Sequence, residues 1–338
     1  MYKIIIVMSI IVFIILLYVL FFYKKNIDID IVYTWVESNE DFEKEKAEWL
    51  KKYGMENINT KYLYSDHQEL KYSIMSLKRY FPYYRYIYIV VKDGQYPKYI
   101  EKDNRIKIIN HSEIIPKEYL PTFNSCAIEA YLHRIPNLSE YYLYLNDDLI
   151  FLKKINVDYF IGKDKKPYVL YSKDKKAEKI TEKEIQYYKK YKFIDAWCYN
   201  NYLLDKIGKY EKSRYTVSHV PRMYRRSYDY IIEKKLKEYY NDNGVNLYDY
   251  TGSCKFRVND VLFLNVLIKP YLYHYWFGCD FKKTTELYAY YRDNEDNLED
   301  ILLDKDSIFL AVNDEMKYEK NVDNIIKKYK LIMDKKFI

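Results

Sequence analysis

The chain has 338 residues, of which 31% are charged and 49% are hydrophobic, a balance typical of a folded globular protein. Its formal charge of +7 comes from 56 basic and 49 acidic residues that are interspersed along the chain, which disfavours a nucleic-acid-binding protein. The four cysteines show no C-x-x-C spacing, which argues against a zinc site and a disulfide-dense scaffold; they are Cys126, Cys198, Cys254 and Cys279.

Residues 4–22 form a run without a single charge, long enough to span the hydrocarbon core of a bilayer. A signal peptide is the alternative, but the run is too long and no small-residue cleavage site follows it. We therefore predict a single-pass membrane protein with an anchor in residues 1–25 and one domain over residues 26–338. The flanking lysines are nearly balanced, so the side of the membrane stays open.

The first half of the domain alternates strands and helices. Residues 28–36 start with alternating polar and apolar positions and become fully apolar, as a buried central strand does. Asp30 inside this strand is either paired structurally or directed at a ligand. Further on we expect helices over residues 42–50 and 66–80, the second with capping-box spacing of Asp66 and Glu69, and strands over residues 86–91 and 105–109. This order predicts an α/β fold with a mostly parallel sheet flanked by helices.

Residues 141–151 carry the strongest functional signal. A buried strand over residues 141–145 runs directly into Asn146, Asp147 and Asp148. Adjacent carboxylates at the end of a core strand are costly unless something neutralises them, and a hard divalent cation does so through oxygen ligands. Ligands also gather at the carboxyl ends of strands in open α/β sheets. The alternative is a plain turn, which these residue types also favour.

The remaining elements are less distinctive. A helix over residues 125–135 would place Glu129 and His133 one turn apart, where a surface pair is favoured over a site. Residues 152–215 are lysine-rich with weak periodicity and are interpreted as an insertion or lid. We expect further helices over residues 228–240 and 261–268, a strand over residues 308–312 that ends in Asn313 and Asp314, and an amphipathic helix from residue 322.

Residues 218–226 place one histidine and three arginines within nine positions. His219 could take a proton from an attacking hydroxyl, and arginines could bind the charge of a phosphoryl group held by a metal. Each residue also has a structural interpretation. His219 could cap a turn, Arg222, Arg225 and Arg226 could form a solvated basic face, and Arg257 with Asp260 could be an ordinary helix salt bridge.

Together these motifs resemble the Stealth family of sugar-phosphate transferases. Four blocks carry the resemblance. The first is Ile-Asp-Ile-Val-Tyr-Thr-Trp-Val at 29–36, and the second is a long block over 69–151 that includes Tyr-Leu-Asn-Asp-Asp. The third is Ser-His-Val-Pro at 218–221, which continues to Arg226 and to Arg257 and Asp260, and the fourth is Phe-Leu-Ala-Val-Asn-Asp at 309–314. Such enzymes include bacterial capsule polymerases and the catalytic subunit of the Golgi enzyme that begins mannose-6-phosphate tagging.

The resemblance implies a GT-A-like fold and transfer of a sugar-1-phosphate from a UDP-, CDP- or GDP-sugar to a hydroxyl of an acceptor glycan, in capsule or exopolysaccharide synthesis or glycan modification. It implies that Asp147 and Asp148 hold Mg²⁺ or Mn²⁺. His219 would be the base or a phosphate ligand, and Arg226, Arg257 and Asp260 would complete the catalytic group. The implied substrate-binding residues are Asp30, Trp35, Asn124, Arg134, Asn313 and Asp314.

The chain departs from the family's pattern at two places. Glu37-Ser38 follows Val36 where members commonly have Val-Asp-Gly, and Arg222 and Arg225 stand where members often have a second His and an Asp. Two alternatives therefore stay open: a glycosyltransferase that uses the same metal site but releases a nucleoside diphosphate, and a non-catalytic surface protein on the same fold.

Overall fold

The computed structural model describes residues 27–56, 64–176, 193–211, 214–240, 244–256, 264–290, 298–313 and 322–338. Among the helices in these ranges, none has the length and apolar character needed to cross a membrane. The predicted anchor over residues 4–22 lies outside the described residues.

The strands and helices follow one another closely along the described chain. In chain order the strands are β1 (Ile29–Trp35), β2 (Ile87–Val91), β3 (Ile106–Asn110), β4 (Tyr141–Asn146), β5 (Leu149–Phe151), β6 (Val169–Lys176), β7 (Tyr215–Val217), β8 (Arg222–Arg225), β9 (Phe281–Lys283), β10 (Glu286–Tyr290) and β11 (Phe309–Asn313). The α-helices are α1 (Glu40–Lys52), α2 (Glu69–Tyr80), α3 (His111–Ile114), α4 (Ser125–Ala130), α5 (Phe193–Ile207), α6 (Arg226–Leu236), α7 (Leu247–Ser253), α8 (Lys269–Phe277), α9 (Leu298–Leu303) and α10 (Val322–Phe337).

The central sheet has the strand order β3-β2-β1-β4-β8. Its first four strands are parallel, and β8 closes the edge antiparallel to β4. The predicted α/β fold with a mostly parallel sheet is confirmed. Because β2 lies on one side of β1 and β4 on the other, the strand order reverses between β1 and β4. Open α/β sheets bind their ligands in a crevice at such a point, outside the carboxyl ends of the strands.

Register places specific residues at this crevice. Thr34 of β1 pairs with Asn146 of β4, so both strands end at the same level. Since β8 runs antiparallel and pairs Arg222 with Tyr144, the segment that precedes β8 also lies at the carboxyl end of β4.

The two faces of the sheet bury different side chains. Leu143 and Leu145 of β4 share a core with Leu70, Ile74 and Leu77 of α2. Tyr142 and Tyr144 lie on the opposite face in a second core, which includes Ile232 of α6 and Leu272 of α8. Both faces are covered, which explains why the parallel strands are nearly continuous apolar runs.

Two small sheets flank the central one. Their strand orders are β10-β11-β5 and β7-β6-β9. In the first, β11 pairs antiparallel with β5, and the amide of Val312 donates to the carbonyl of Asp148 at 3.1 Å. The late strand β11 therefore fixes the turn that carries the two aspartates.

Some predicted boundaries were wrong for identifiable reasons. The helix expected from residue 66 starts at Glu69, because Gln68 adopts a left-handed conformation with φ 73°. The helix expected over residues 125–135 ends at Ala130, and a 3₁₀ turn over Leu132–Arg134 follows. Glu129 and His133 are consequently not a surface pair: both are buried, and they bond Tyr144 and Glu233 respectively.

Later boundaries also differ from the sequence prediction. The charged helix expected over residues 228–240 is α6, which begins and ends earlier. The apolar helix expected over residues 261–268 is a π-helical turn, Leu264–Ile268, which runs into α8, and residues 257–263 lie outside the described residues. The segment over residues 152–215 includes β6 and α5, while residues 177–192 lie outside the described residues.

Candidate active site

The two aspartates occupy the tight turn between β4 and β5. β4 ends at Asn146 and β5 begins at Leu149, so Asp147 and Asp148 form the whole connection. The backbone of this turn is held on two sides, by the bond from Val312 to the Asp148 carbonyl and by the Ser73 hydroxyl of α2, which donates to the Leu149 carbonyl. The backbone that carries the two carboxylates is therefore held at the carboxyl edge of the sheet.

His219 lies against Asp148. The Nε2 atom of His219 is 3.3 Å from Oδ2 of Asp148, and both side chains are partly exposed, at 31% and 19%. The antiparallel pairing of β8 with β4 brings them together, because His219 is three residues before Arg222. Two residues that the sequence assigned to one site are thus in contact.

The turn is strongly acidic. Burial raises the pKa of the Asp147 carboxyl well above its usual range, and the neighbouring carboxylates of Asp148, Glu69 and Asp66 raise it further. Burial also raises the pKa of Glu69 to about 7. A bound cation would offset the negative charge that these carboxylates concentrate around Asp147.

Sequence reasoning missed Asp66 and Glu69 as parts of this site, since their spacing indicated a helix cap. In the structure, Asp66 accepts a hydrogen bond from the Gln68 amide at 2.9 Å and one from the Tyr99 hydroxyl at 3.0 Å. Glu69 accepts from the His67 amide at 2.7 Å. The available signal was position: both residues lie at the start of α2, the last helix before β2, and in a parallel sheet the helix that leads back to the next strand starts at the carboxyl edge.

The site fits a divalent cation. Oδ1 of Asp148 is buried and has no hydrogen-bond partner within the described part of the chain. Among the described residues, no group of three or more His, Cys, Asp or Glu side chains is arranged to hold a metal ion. Mg²⁺ is often held by only one or two carboxylates, with waters and substrate phosphates as its other ligands, and Asp147 and Asp148 match that donor set.

Trp35 lies at the same edge of the central sheet as the aspartates. It ends β1, is 5% exposed and packs edge-on against Tyr99 with ring centroids 6.3 Å apart. Its Nε1 donor is buried without a hydrogen-bond partner among the described residues. Trp35 therefore lies at the carboxyl end of β1, and its role in substrate binding stays a prediction.

Asp30 lies at the other end of β1. It is fully buried and binds Arg85 in a bidentate ion pair, with distances of 3.0 Å to Nε and 2.7 Å to Nη2. It also accepts from the amides of Tyr86 and Ser139. Of the two interpretations left open for this residue, the structure favours the paired structural one.

Arg226 is also distant from the aspartates. Its amide donates to the Glu140 carbonyl at the start of β4, a strand about 17 Å long by the usual rise per residue. Its guanidinium donates to the carbonyls of His133, Leu138 and Ile135. The structure does not bring this residue together with His219.

Asn124 and Arg134 are likewise engaged elsewhere. Asn124 caps α4 by accepting from the Cys126 amide at 3.1 Å, and its amide nitrogen donates to the Cys254 carbonyl. Arg134 pairs with Glu233 of α6 and lines a cavity of about 520 Å³ with Tyr230, Lys234 and Lys237.

Three predicted site residues, Arg257, Asp260 and Asp314, lie outside the described residues. Asn313 is the last residue of β11, where its backbone pairs with Tyr290.

Comparison with known proteins connects this site to a family. Residues 63–169 match the family model described as Stealth protein CR2, conserved region 2. The matched region contains Asp66, Glu69, Asp147 and Asp148, and it reaches into the segment interpreted as an insertion or lid. The resemblance to Stealth proteins is confirmed over this region.

Curated relatives agree with the family match. A capsular polysaccharide phosphotransferase of Haemophilus influenzae is 42% identical over 142 residues, which are 40% of this chain and 38% of the relative. An exopolysaccharide phosphotransferase of Streptomyces coelicolor is 40% identical over 130 residues, which are 38% of this chain and 21% of the relative. The match thus spans about two fifths or less of the relatives' length.

Among solved structures, the galactosyltransferase LgtC, in complex with donor and acceptor sugar analogues, aligns with 90% of this chain and 95% of its own. The TM-score is 0.41 and the sequence identity 8%. Because this TM-score is low, the GT-A-like part of the fold stays a prediction.

Proposed function

We propose that this chain, which carries conserved region 2 of Stealth proteins, is a phosphotransferase that moves a sugar-1-phosphate from a nucleotide sugar to a hydroxyl of an acceptor glycan. The observation that carries the proposal is the contact of His219 with Asp148 at the carboxyl end of β4. It joins a potential base to the carboxylate pair, at the edge of the sheet where α/β proteins bind ligands.

The reaction would proceed by attack at phosphorus. The acceptor hydroxyl oxygen forms a bond to the phosphorus that carries the sugar, and the bond from this phosphorus to the bridging oxygen of the diphosphate breaks. The products are a phosphodiester and a nucleoside monophosphate, whose new terminal oxygen takes the bonding electrons.

His219 would accept the proton of the attacking hydroxyl. With Nε2–H donating to Oδ2 of Asp148, the basic lone pair of the ring is on Nδ1, which is the atom that would take the proton. Asp148 would hold the ring in this tautomer and orientation, as carboxylate partners of catalytic histidines do. Trp35 and Tyr99 would limit the access of water on the β1 side.

Asp147 and Asp148 would hold Mg²⁺ or Mn²⁺. A bound divalent ion would neutralise phosphate charge and orient the diphosphate of the donor. Asp66 and Glu69 would add negative charge around the ion and strengthen its binding.

The proposal extends to location and partners. Residues 4–22 would anchor the chain in a membrane as a single-pass protein, and the acceptor would be a growing capsule or exopolysaccharide chain or another glycan. The names of the two curated relatives support an acceptor of the polysaccharide class.

The activity is tested by incubating the chain with Mg²⁺ or Mn²⁺, a polysaccharide acceptor and a panel of UDP-, CDP- and GDP-sugars, and identifying the released nucleotide. Monophosphate release that disappears in Asp148→Asn supports the proposal. Diphosphate release would replace it with the glycosyltransferase alternative, and absence of both turnover and donor binding would favour a non-catalytic protein.

A further inference from the structure

Arg222 begins β8 on the same face of the central sheet as Tyr144, with which it pairs. It is only 7% exposed, although guanidinium groups are rarely buried without full pairing. The sequence placed this arginine among the departures from the family's pattern, with a solvated basic face as its structural interpretation. Its burial rules out the solvated interpretation.

The hydrogen bonds of Arg222 are incomplete. Its Nη2 donates to the Ser218 carbonyl at 3.0 Å, which ties the guanidinium to the segment that carries His219. Within the residues that the structure describes, its Nε donor and the neighbouring Ser218 hydroxyl are both buried and have no hydrogen-bond partner. Such groups are costly in a folded protein unless a ligand satisfies them.

The surroundings of Arg222 lie at the crevice between β1 and β4. The Tyr144 hydroxyl, on the same face, contacts Thr34 at the end of β1 and Asn146 at the end of β4, both at 3.2 Å. Burial raises the pKa of this hydroxyl well above its usual value, and the nearby charge of Arg222 partly opposes the shift. Arg222 is therefore beside the strand ends that form the proposed site.

We propose that Arg222 is a substrate-binding residue, whose Nε–H donates, together with the Ser218 hydroxyl, to phosphate oxygens of the donor diphosphate. This assignment rests on the proposed function, since it names the group that recognises the phosphate at the same site. An arginine suits this role because its planar donors match phosphate oxygens and its charge is permanent.

Arg225, three residues further along β8, supplies a matched comparison. Its Nε donates to Glu140 at 2.6 Å and its Nη1 to the Tyr228 hydroxyl at 3.1 Å, at the opposite end of β4. The same substitution at the two positions thus removes an arginine with an unused donor in one variant and a paired surface arginine in the other.

The test measures binding of inorganic pyrophosphate to the full chain by calorimetry in the presence of Mg²⁺. Arg222→Met should weaken binding at least about tenfold, while Arg222→Lys should recover part of it because the charge remains. Arg225→Met should bind like the unchanged chain. Ser218→Ala, a small change beside Arg222, should weaken pyrophosphate binding by a few-fold. Far-ultraviolet circular dichroism identifies variants that are not folded.

Equal pyrophosphate affinity in Arg222→Met, Ser218→Ala and the unchanged chain would overturn the assignment, as would failure of the unchanged chain to bind pyrophosphate. If the proposed reaction is wrong but the assignment of Arg222 is right, pyrophosphate binding still depends on Arg222, but no nucleotide sugar yields a nucleoside monophosphate.

Discussion

Nε2 of His219 lies 3.3 Å from Oδ2 of Asp148, although 71 positions separate the two residues in the chain. The sequence supplies the two side chains, but only the antiparallel addition of β8 to β4 places one against the other.

Asp148→Asn should remove the activity while the fold persists. The buried Oδ1 atom loses its charge, so a cation is bound less well and His219 loses its carboxylate partner. We expect turnover to fall by about 100-fold or more, in line with the effect of disturbed metal sites. Mn²⁺ titration followed by electron paramagnetic resonance should show that the variant binds Mn²⁺ less tightly. Asp158→Asn, a change at an exposed residue, is the control and should alter neither turnover nor Mn²⁺ binding.

His219→Ala should lower kcat by about 10²–10⁴-fold, the usual contribution of a general base. Metal binding should change little, because Asp147 and Asp148 remain. His274 is a suitable control, since it belongs to α8 and its Nδ1 contacts the Cys279 carbonyl at 2.8 Å. If His219→Ala turns over at the rate of the unchanged enzyme, the proposed proton acceptor is wrong.

Asp30→Asn should reduce stability and leave the turnover of folded molecules unchanged. The substitution weakens the bidentate pair with Arg85 and two backbone hydrogen bonds at the amino end of β1. Because Arg85 is 38% exposed, the cost should be about 1–3 kcal/mol, less than for a fully buried pair. Urea denaturation measures the loss, and a fall in kcat without a fall in the unfolding midpoint would instead place Asp30 in the site.

Acid should destabilise the domain through His111. Burial lowers the pKa of this residue from 6.5 to about 4, and the Asp93 carboxylate opposes the shift only in part. The unfolded chain therefore binds more protons between these two pH values, so the free energy of unfolding decreases as the pH is lowered from about 6.5 to about 4. The decrease is on the order of 3 kcal/mol. Stability curves of His111→Gln should be flatter across this window, and identical slopes would contradict the assignment.

The anchor prediction is tested by fractionation. The full chain should sediment with membranes and require detergent for release, while a chain that starts at residue 27 should remain in the supernatant. Recovery of the full chain in the supernatant without detergent would show that residues 4–22 do not anchor it.

The carboxyl-edge aspartates and the parallel sheet could be predicted because both depend on local patterns: a buried strand that stops abruptly at two carboxylates, and alternation of strands with helices. Asp66 and Glu69 could not, because the same spacing fits a helix cap, and only the packing of α2 on the sheet places them near Asp147. Glu129 and His133 were misassigned since a periodic pattern does not reveal that a helix ends between them.

The three arginines show most clearly that a local sequence pattern does not reveal tertiary placement. Arg222, Arg225 and Arg226 form a short basic run in the sequence, yet β8 separates them in space. Arg222 is buried at the carboxyl end of β4, and Arg226 binds backbone carbonyls near its amino end. Which of these residues faces a ligand depends on the direction of β8 relative to β4, and that direction is a tertiary property.

The most direct test of phosphoryl transfer uses a nucleotide sugar that is radiolabelled in the phosphate attached to the sugar, incubated with the enzyme and a polysaccharide acceptor. Attack at phosphorus predicts that the label enters the glycan and that unlabelled nucleoside monophosphate is released, and Asp148→Asn should abolish both. Label recovered in a nucleoside diphosphate, with sugar but no phosphate in the glycan, would show attack at the anomeric carbon and contradict the account.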